Sequence, residues 1–131
     1  MANRDFKGVQ ALDREVKMIH GSFAIHATSG VTTLASGSVG VASVSAVGTG
    51  DVTITLDDKY NKFLGAHFTY LDAAAADIKK PIVHITAETV ATTKTVVLQF
   101  SNADDGTICA DADVGGDTVY FMIWVKNSSV T

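Results

Sequence analysis

The side chains of this chain that could do chemistry are four histidines, one cysteine and a short run of aspartates. The histidines are His20, His26, His67 and His84. An imidazole can hold a metal or move a proton near neutral pH. Either task needs partners at set spacings, such as a second histidine one helical turn away or a nearby Cys or carboxylate in a ligand motif. None of the four has such a neighbour. His67 and His84 fall on separate predicted strands and could meet only if those strands pair. Asp111, Asp113 and Asp117 surround Gly115 and Gly116, a pattern that could wrap a hard cation in oxygen ligands. The run lacks the later bidentate glutamate of a calcium-binding helical loop, so it reads as a solvated hairpin turn. Cys109, in Thr107-Ile108-Cys109-Ala110, has no cation or helix start beside it to stabilise a thiolate, and reads as a small buried hydrophobe. No catalytic residue, metal site or cofactor is expected, and the chain is not expected to be an enzyme.

Composition narrows the remaining classes. The chain has 131 residues, which suits one domain able to bury a core without disulfides. Its 10 Lys+Arg against 14 Asp+Glu give a net charge of -4. No basic cluster could neutralise a run of phosphates, so direct binding to nucleic acid is not expected. No apolar run approaches the ~20 residues of a spanning helix, and no membrane partner is expected. The start lacks the apolar stretch of a signal peptide, which implies synthesis in the cytoplasm. Charged residues make up 18% of the chain and hydrophobic ones 47%, against ~25% charged in an average domain. So few charges predict that some uncharged surface meets another subunit.

The elements that would position these residues are mostly strands. Residues 1–20 carry seven charges (Arg4, Asp5, Lys7, Asp13, Arg14, Glu15 and Lys17), and their apolar positions Phe6, Val9, Leu12, Val16 and Ile19 recur at helical intervals. They predict a separate N-terminal arm or short helix, with residues 21–131 as a single β-domain. From Gly21 to Gly50 there is no Asp, Glu, Lys or Arg. There Val39, Val41, Val44 and Val47 favour strand, with a change of parity that predicts a bulge near Ala42-Ser43. Gly48-Thr49-Gly50-Asp51 reads as a turn and residues 52–56 as a half-buried strand, with Val52, Ile54 and Leu56 inward. A helical turn is expected over 57–65, capped by an aspartate and ended by Gly65. Strands are expected over 66–71, 82–87, 95–100 and 117–127, and Asn102-Ala103-Asp104-Asp105-Gly106 reads as a turn. The last is apolar on both faces, with Val119, Phe121, Ile123 and Val125 on one side and Tyr120, Met122 and Trp124 on the other, as suits a central or covered strand. Phe121, Ile123 and Trp124 are read as structural. Seven or eight short strands predict an all-β fold, an antiparallel β-sandwich or barrel-like domain.

Two segments carry a family likeness. Residues 38–70, with Gly48-Thr49-Gly50 and Asp58-Lys59-Tyr60 around a strand, and residues 117–130, an apolar strand closed by Asn127-Ser128-Ser129, resemble small virion structural proteins of tailed bacteriophages. The resemblance implies a non-enzymatic particle component. Within that class the expected role is a capsid decoration, or cement, protein on the virion surface, binding the major capsid protein and itself as a homotrimer. A dimer or capsid-bound monomer would also fit. The expected partner-facing residues are Phe6, Val9, Leu12 and Val16 of the arm, Val41 and Val44 of the uncharged stretch, and Tyr120, Met122 and Trp124. The alternatives are a tail or head-fibre attachment protein and a carbohydrate-binding β-module with an exposed aromatic platform.

Overall fold

Period-two alternation of apolar and polar residues runs through most of this chain, and strands alone satisfy it. The computed structural model describes residues 16–26, 32–48, 50–73 and 81–127. They form β1 (Val16–Ile25), β2 (Thr32–Leu34), β3 (Val41–Gly48), β4 (Asp51–Leu56), β5 (Lys62–Leu71), β6 (Pro81–Thr89), β7 (Thr95–Asn102), one helical turn α1 (Asp111–Val114), and β8 (Thr118–Lys126). Two four-stranded sheets result, one in the order β2-β1-β8-β5 and the other β3-β4-β7-β6. Every pairing is antiparallel. The all-β expectation holds, as a sandwich and not a closed barrel.

The core lies between the sheets. The first sheet contributes Ile19, Phe23 and Ile25 from β1 and Val119, Phe121, Ile123 and Val125 from β8; the second contributes Val52, Ile54 and Leu56 from β4 and Val96, Leu98 and Phe100 from β7. Phe23 and Phe121 pack with centroids 6.1 Å apart. Gly21 sits among these inward positions, where a Cβ would stand 2.6 Å from the Ser38 Cβ and 2.9 Å from the Phe121 ring. Glycine there lets the segment after β2 lie against β1. That segment is held by Ala35 N–H donating to the Ser22 carbonyl at 2.9 Å and Val39 N–H to the His20 carbonyl at 2.8 Å.

Two turns follow their sequence signals. Gly50, at φ 70°, closes the β3–β4 hairpin where a Cβ would come within 2.6 Å of the Cys109 carbonyl oxygen. Gly106, also at φ 70°, donates its N–H to the Asn102 carbonyl at 2.8 Å after β7. The register shift between Val41 and Ser43 is the bulge that the valine parity predicts.

Three expectations are corrected. Val16 and Ile19 belong to strand β1 and not to a helix, and β1 passes through His20-Gly21 without a break, paired to β8 from Val16 to Ala24. Phe6, Val9 and Leu12 lie outside the described residues. Residues 57–61 form bends, with Tyr60 buried, and Gly65 marks a bulge in β5 opposite Trp124 instead of a helix end. Asp117 is 3% exposed, not solvated. Its carboxylate accepts hydrogen bonds from the Tyr70 hydroxyl and from the Ala73 N–H, the latter at 2.7 Å.

Candidate functional site

β8 lies between β1 and β5, so its outward side chains occupy the middle of the first sheet's outer face. Because opposed residues in an antiparallel ladder point the same way, the register lays out rows across three strands. Met18 stands beside Trp124, His20 beside Met122 beside His67, Ser22 beside Tyr120 beside Thr69, and Ala24 beside Thr118 beside Leu71. None of these eleven side chains is a carboxylate, ammonium or guanidinium. Lysines enter only at one end of the face, where Lys62 and Lys126 are opposed in register.

This face is open. Met18 and Tyr120 are each 48% exposed and Met122 37%, while Trp124 is half-buried. A hollow of about 500 Å³ lies over its centre, lined by Met18, His20, Ser38, His67, Tyr120 and Met122 among others. Residues 36–38 form one wall, since the segment after β2 runs beside the outer edge of β1. Solvent-facing Met and Tyr at the centre of a sheet place polarizable, adaptable apolar surface where a partner can cover it.

Of the expected partner-facing residues, the structure brings Tyr120, Met122 and Trp124 together on this face, with Val16 at its end, 37% exposed. Val41 and Val44 do not join them. The bulge between Val41 and Ser43 turns Val44 into the core, 8% exposed, and Val41 packs half-buried against that core. Trp124 is displaced from the expected core by strict alternation with Ile123 and Val125, which are fully buried. His20 and His67 were read from sequence only as histidines without a ligand spacing, and Met18 was not singled out. With residues 1–20 read as an arm or helix, the outward parity of Met18 and His20 in β1 was hidden, and the convergence of all three on Met122 depends on strand order.

The remaining candidate groups are dispersed. His26 pairs its Nε2 with the Thr33 hydroxyl at 2.9 Å, and His84 lies on the second sheet, opposite Gln99. β5 and β6 belong to different sheets, so His67 and His84 are not cross-strand neighbours. Cys109 is buried in the core. Burial, and next the hydrogen bond to Asp117, pushes the Tyr70 phenol well above its ordinary range. Among the described residues no three His, Cys, Asp or Glu side chains gather as a metal site, and no helix is long and apolar enough to cross a membrane. The arrangement therefore defines a β-sandwich whose most distinctive surface is a broad uncharged sheet face. Comparison with known protein families, curated proteins and solved structures finds no match to this chain.

Proposed function

We propose that this protein is a non-enzymatic structural component of a phage virion, a capsid decoration protein that docks on the major capsid protein through the outer face of its first sheet. The observation carrying this reading is that face itself: three adjacent strands present Met18, Leu71, Tyr120, Met122 and Trp124 without a charged side chain among the rows they share. Desolvating such a surface removes apolar area from water at about 25 cal/mol per Å² without the large penalty of burying charge. A decoration protein would act by mass action: contacts made only to the expanded shell stabilise that state by their binding free energy, repeated over many copies. Self-association as a trimer would add avidity.

A carbohydrate-binding role is less well supported. The aromatic side chains Tyr120 and Trp124 do reach the surface, but their cross-strand neighbours are Met18, Ser22 and Thr69, which offer methyl and thioether surface more than the carboxamides and carboxylates that hold sugar hydroxyls.

The test is the number of copies in purified particles of the phage that encodes the chain, measured by quantitative mass spectrometry. Hundreds per virion support the shell. A dozen or fewer would move the protein to the tail or a single vertex, and none at all would overturn a virion role. Tyr120→Asp should abolish rebinding to stripped shells while circular dichroism stays unchanged.

A further inference from the structure

One row of the open face has the composition of a ligand set. His20, Met122 and His67 occupy directly opposed positions on β1, β8 and β5, so one thioether is flanked on both sides by an imidazole. Neighbouring positions on a face stand about 5 Å apart at Cβ, which places each ring within reach of an ion seated over the Met122 sulfur. All three side chains line the same hollow of about 500 Å³. Neither the His20 nor the His67 ring makes a hydrogen bond to another described side chain, whereas His26 is engaged by Thr33. Among the described residues, nothing therefore competes for the one nitrogen lone pair that each neutral ring can offer an ion.

The donor types select the ion. Thioether sulfur is a soft ligand that binds monovalent copper and its analogues well and hard cations poorly, while imidazole suits copper and zinc alike. A tetrahedral structural zinc site takes four ligands drawn from thiolate, imidazole and carboxylate, and this row supplies two. Two nitrogens and one thioether match a soft monovalent ion that accepts two or three ligands. The lining residues of the hollow carry no ammonium or guanidinium group to repel a cation. Met18 also lines the hollow and stands one row away, beside Trp124, where it could bring a second sulfur.

We propose that His20, Met122 and His67 form a binding site for a soft monovalent metal ion, Cu(I) or Ag(I), on the outer face of the first sheet. The site stands apart from the core, whose residues Ile19, Phe121 and Ile123 have the opposite, inward parity in β1 and β8. It shares Met122 and the open face with the proposed docking surface, but its test needs only the isolated chain.

The experiment uses Ag(I), which avoids redox chemistry, with the full chain carrying carbon-13 methionine methyl groups. The expected result is one ion bound per chain, with the Met122 methyl resonance and the His20 and His67 ring resonances shifting together. Met122→Leu and His67→Asn should each weaken binding at least tenfold. The buried Cys109 thiol is a competing soft donor, so native mass spectrometry is run in parallel on Cys109→Ala; should that variant fold poorly, the Met122 methyl shift in the unaltered chain still reports the site directly. An unmoved Met122 methyl on saturation with Ag(I) would overturn the proposal. So would affinity unchanged by Met122→Leu, or Zn(II) binding as tightly as Ag(I) with no contribution from Met122, which would reduce the row to a two-histidine surface site.

Discussion

The Tyr70 hydroxyl donates a hydrogen bond to the Asp117 carboxylate, tying the end of β5 to the residue that leads into β8. The same carboxylate accepts the Ala73 N–H at 2.7 Å, and the Asp117 carbonyl accepts the Ile25 N–H at 2.9 Å. One buried acidic residue thus fastens three strands, β1, β5 and β8, at the same end of the first sheet. Hydrogen bonds to charged groups contribute about 1.5–3 kcal/mol each. Tyr70→Phe should therefore lower stability by about 1.5–3 kcal/mol in urea unfolding, and Asp117→Ala by more, because it strips partners from both the phenol and the Ala73 amide. Equal stability of all three chains would show that water replaces these bonds without loss.

The same bond gives the stability curve an alkaline limb. Burial and the hydrogen bond to Asp117 raise the Tyr70 phenol above its ordinary value, so the folded chain keeps a proton that the unfolded chain loses from about pH 10 upward. Its contribution is complete below that pH and declines as pH rises further. Lys17 adds to the limb in the same direction. Its Nζ donates to the Tyr60 hydroxyl at 2.9 Å, and this bond chiefly holds the ammonium above its usual range against a smaller opposing effect of burial. The prediction is falling stability between about pH 10 and 12, with a shallower slope in Tyr70→Phe. Denaturant midpoints measured across that range check it.

Two glycines at the same φ separate backbone strain from steric clash. Gly50 and Gly106 are both at φ 70°, but a Cβ would meet the Cys109 carbonyl at 2.6 Å and the Ile108 side chain at 2.7 Å at the first, and open space at the second. Gly106→Ala should cost about 1–2 kcal/mol, the left-handed penalty for an L-residue. Gly50→Ala carries that penalty plus displacement of backbone, so its melting temperature should fall well below that of Gly106→Ala. Similar melting temperatures would mean the hairpin end yields easily.

The two faces of β8 should respond in opposite ways to truncation. Phe121 is 3% exposed and packs on Phe23, so Phe121→Ala should cost about 3–5 kcal/mol. Met122→Ala, one residue along on the open face, should leave the unfolding midpoint within about 0.5 kcal/mol, as exposed substitutions do. Chemical denaturation of both variants checks the assignment of faces, and a large loss in Met122→Ala would show that the open face carries the fold.

The uncharged stretch from Gly21 to Gly50 tests the bulge. Val44→Asp should leave little folded protein by circular dichroism, because it places an unpaired carboxylate in the core. Ser45→Asp, one position along and exposed, should fold normally. The reverse pattern would put Val44 on the surface.

Much of the architecture was legible in local sequence. Val52, Ile54 and Leu56 declared the inward face of β4; Val119, Phe121, Ile123 and Val125 declared that of β8; the valine parity around Ala42-Ser43 declared a bulge; and Asn102 to Gly106 declared a turn. Each of these depends only on the period of two in a strand or on the backbone freedom of glycine, which are properties of a few consecutive residues. Other features were settled by pairing across the chain. The helical intervals of Val16 and Ile19 gave way to strand because β8 offered a ladder of backbone partners from Val16 to Ala24, and long-range pairing outweighs a short local pattern. Val44 reads as surface in a charge-free segment, and only the second sheet packed on the first shows which parity is inside. Asp117 looked solvated beside two glycines until Tyr70 and Ala73, more than forty residues earlier, supplied its donors. The row of His20, Met122 and His67 is the plainest case. Its members are separated by dozens of residues, so no spacing rule finds them, and they meet because the order β1-β8-β5 sets three distant strands side by side in register.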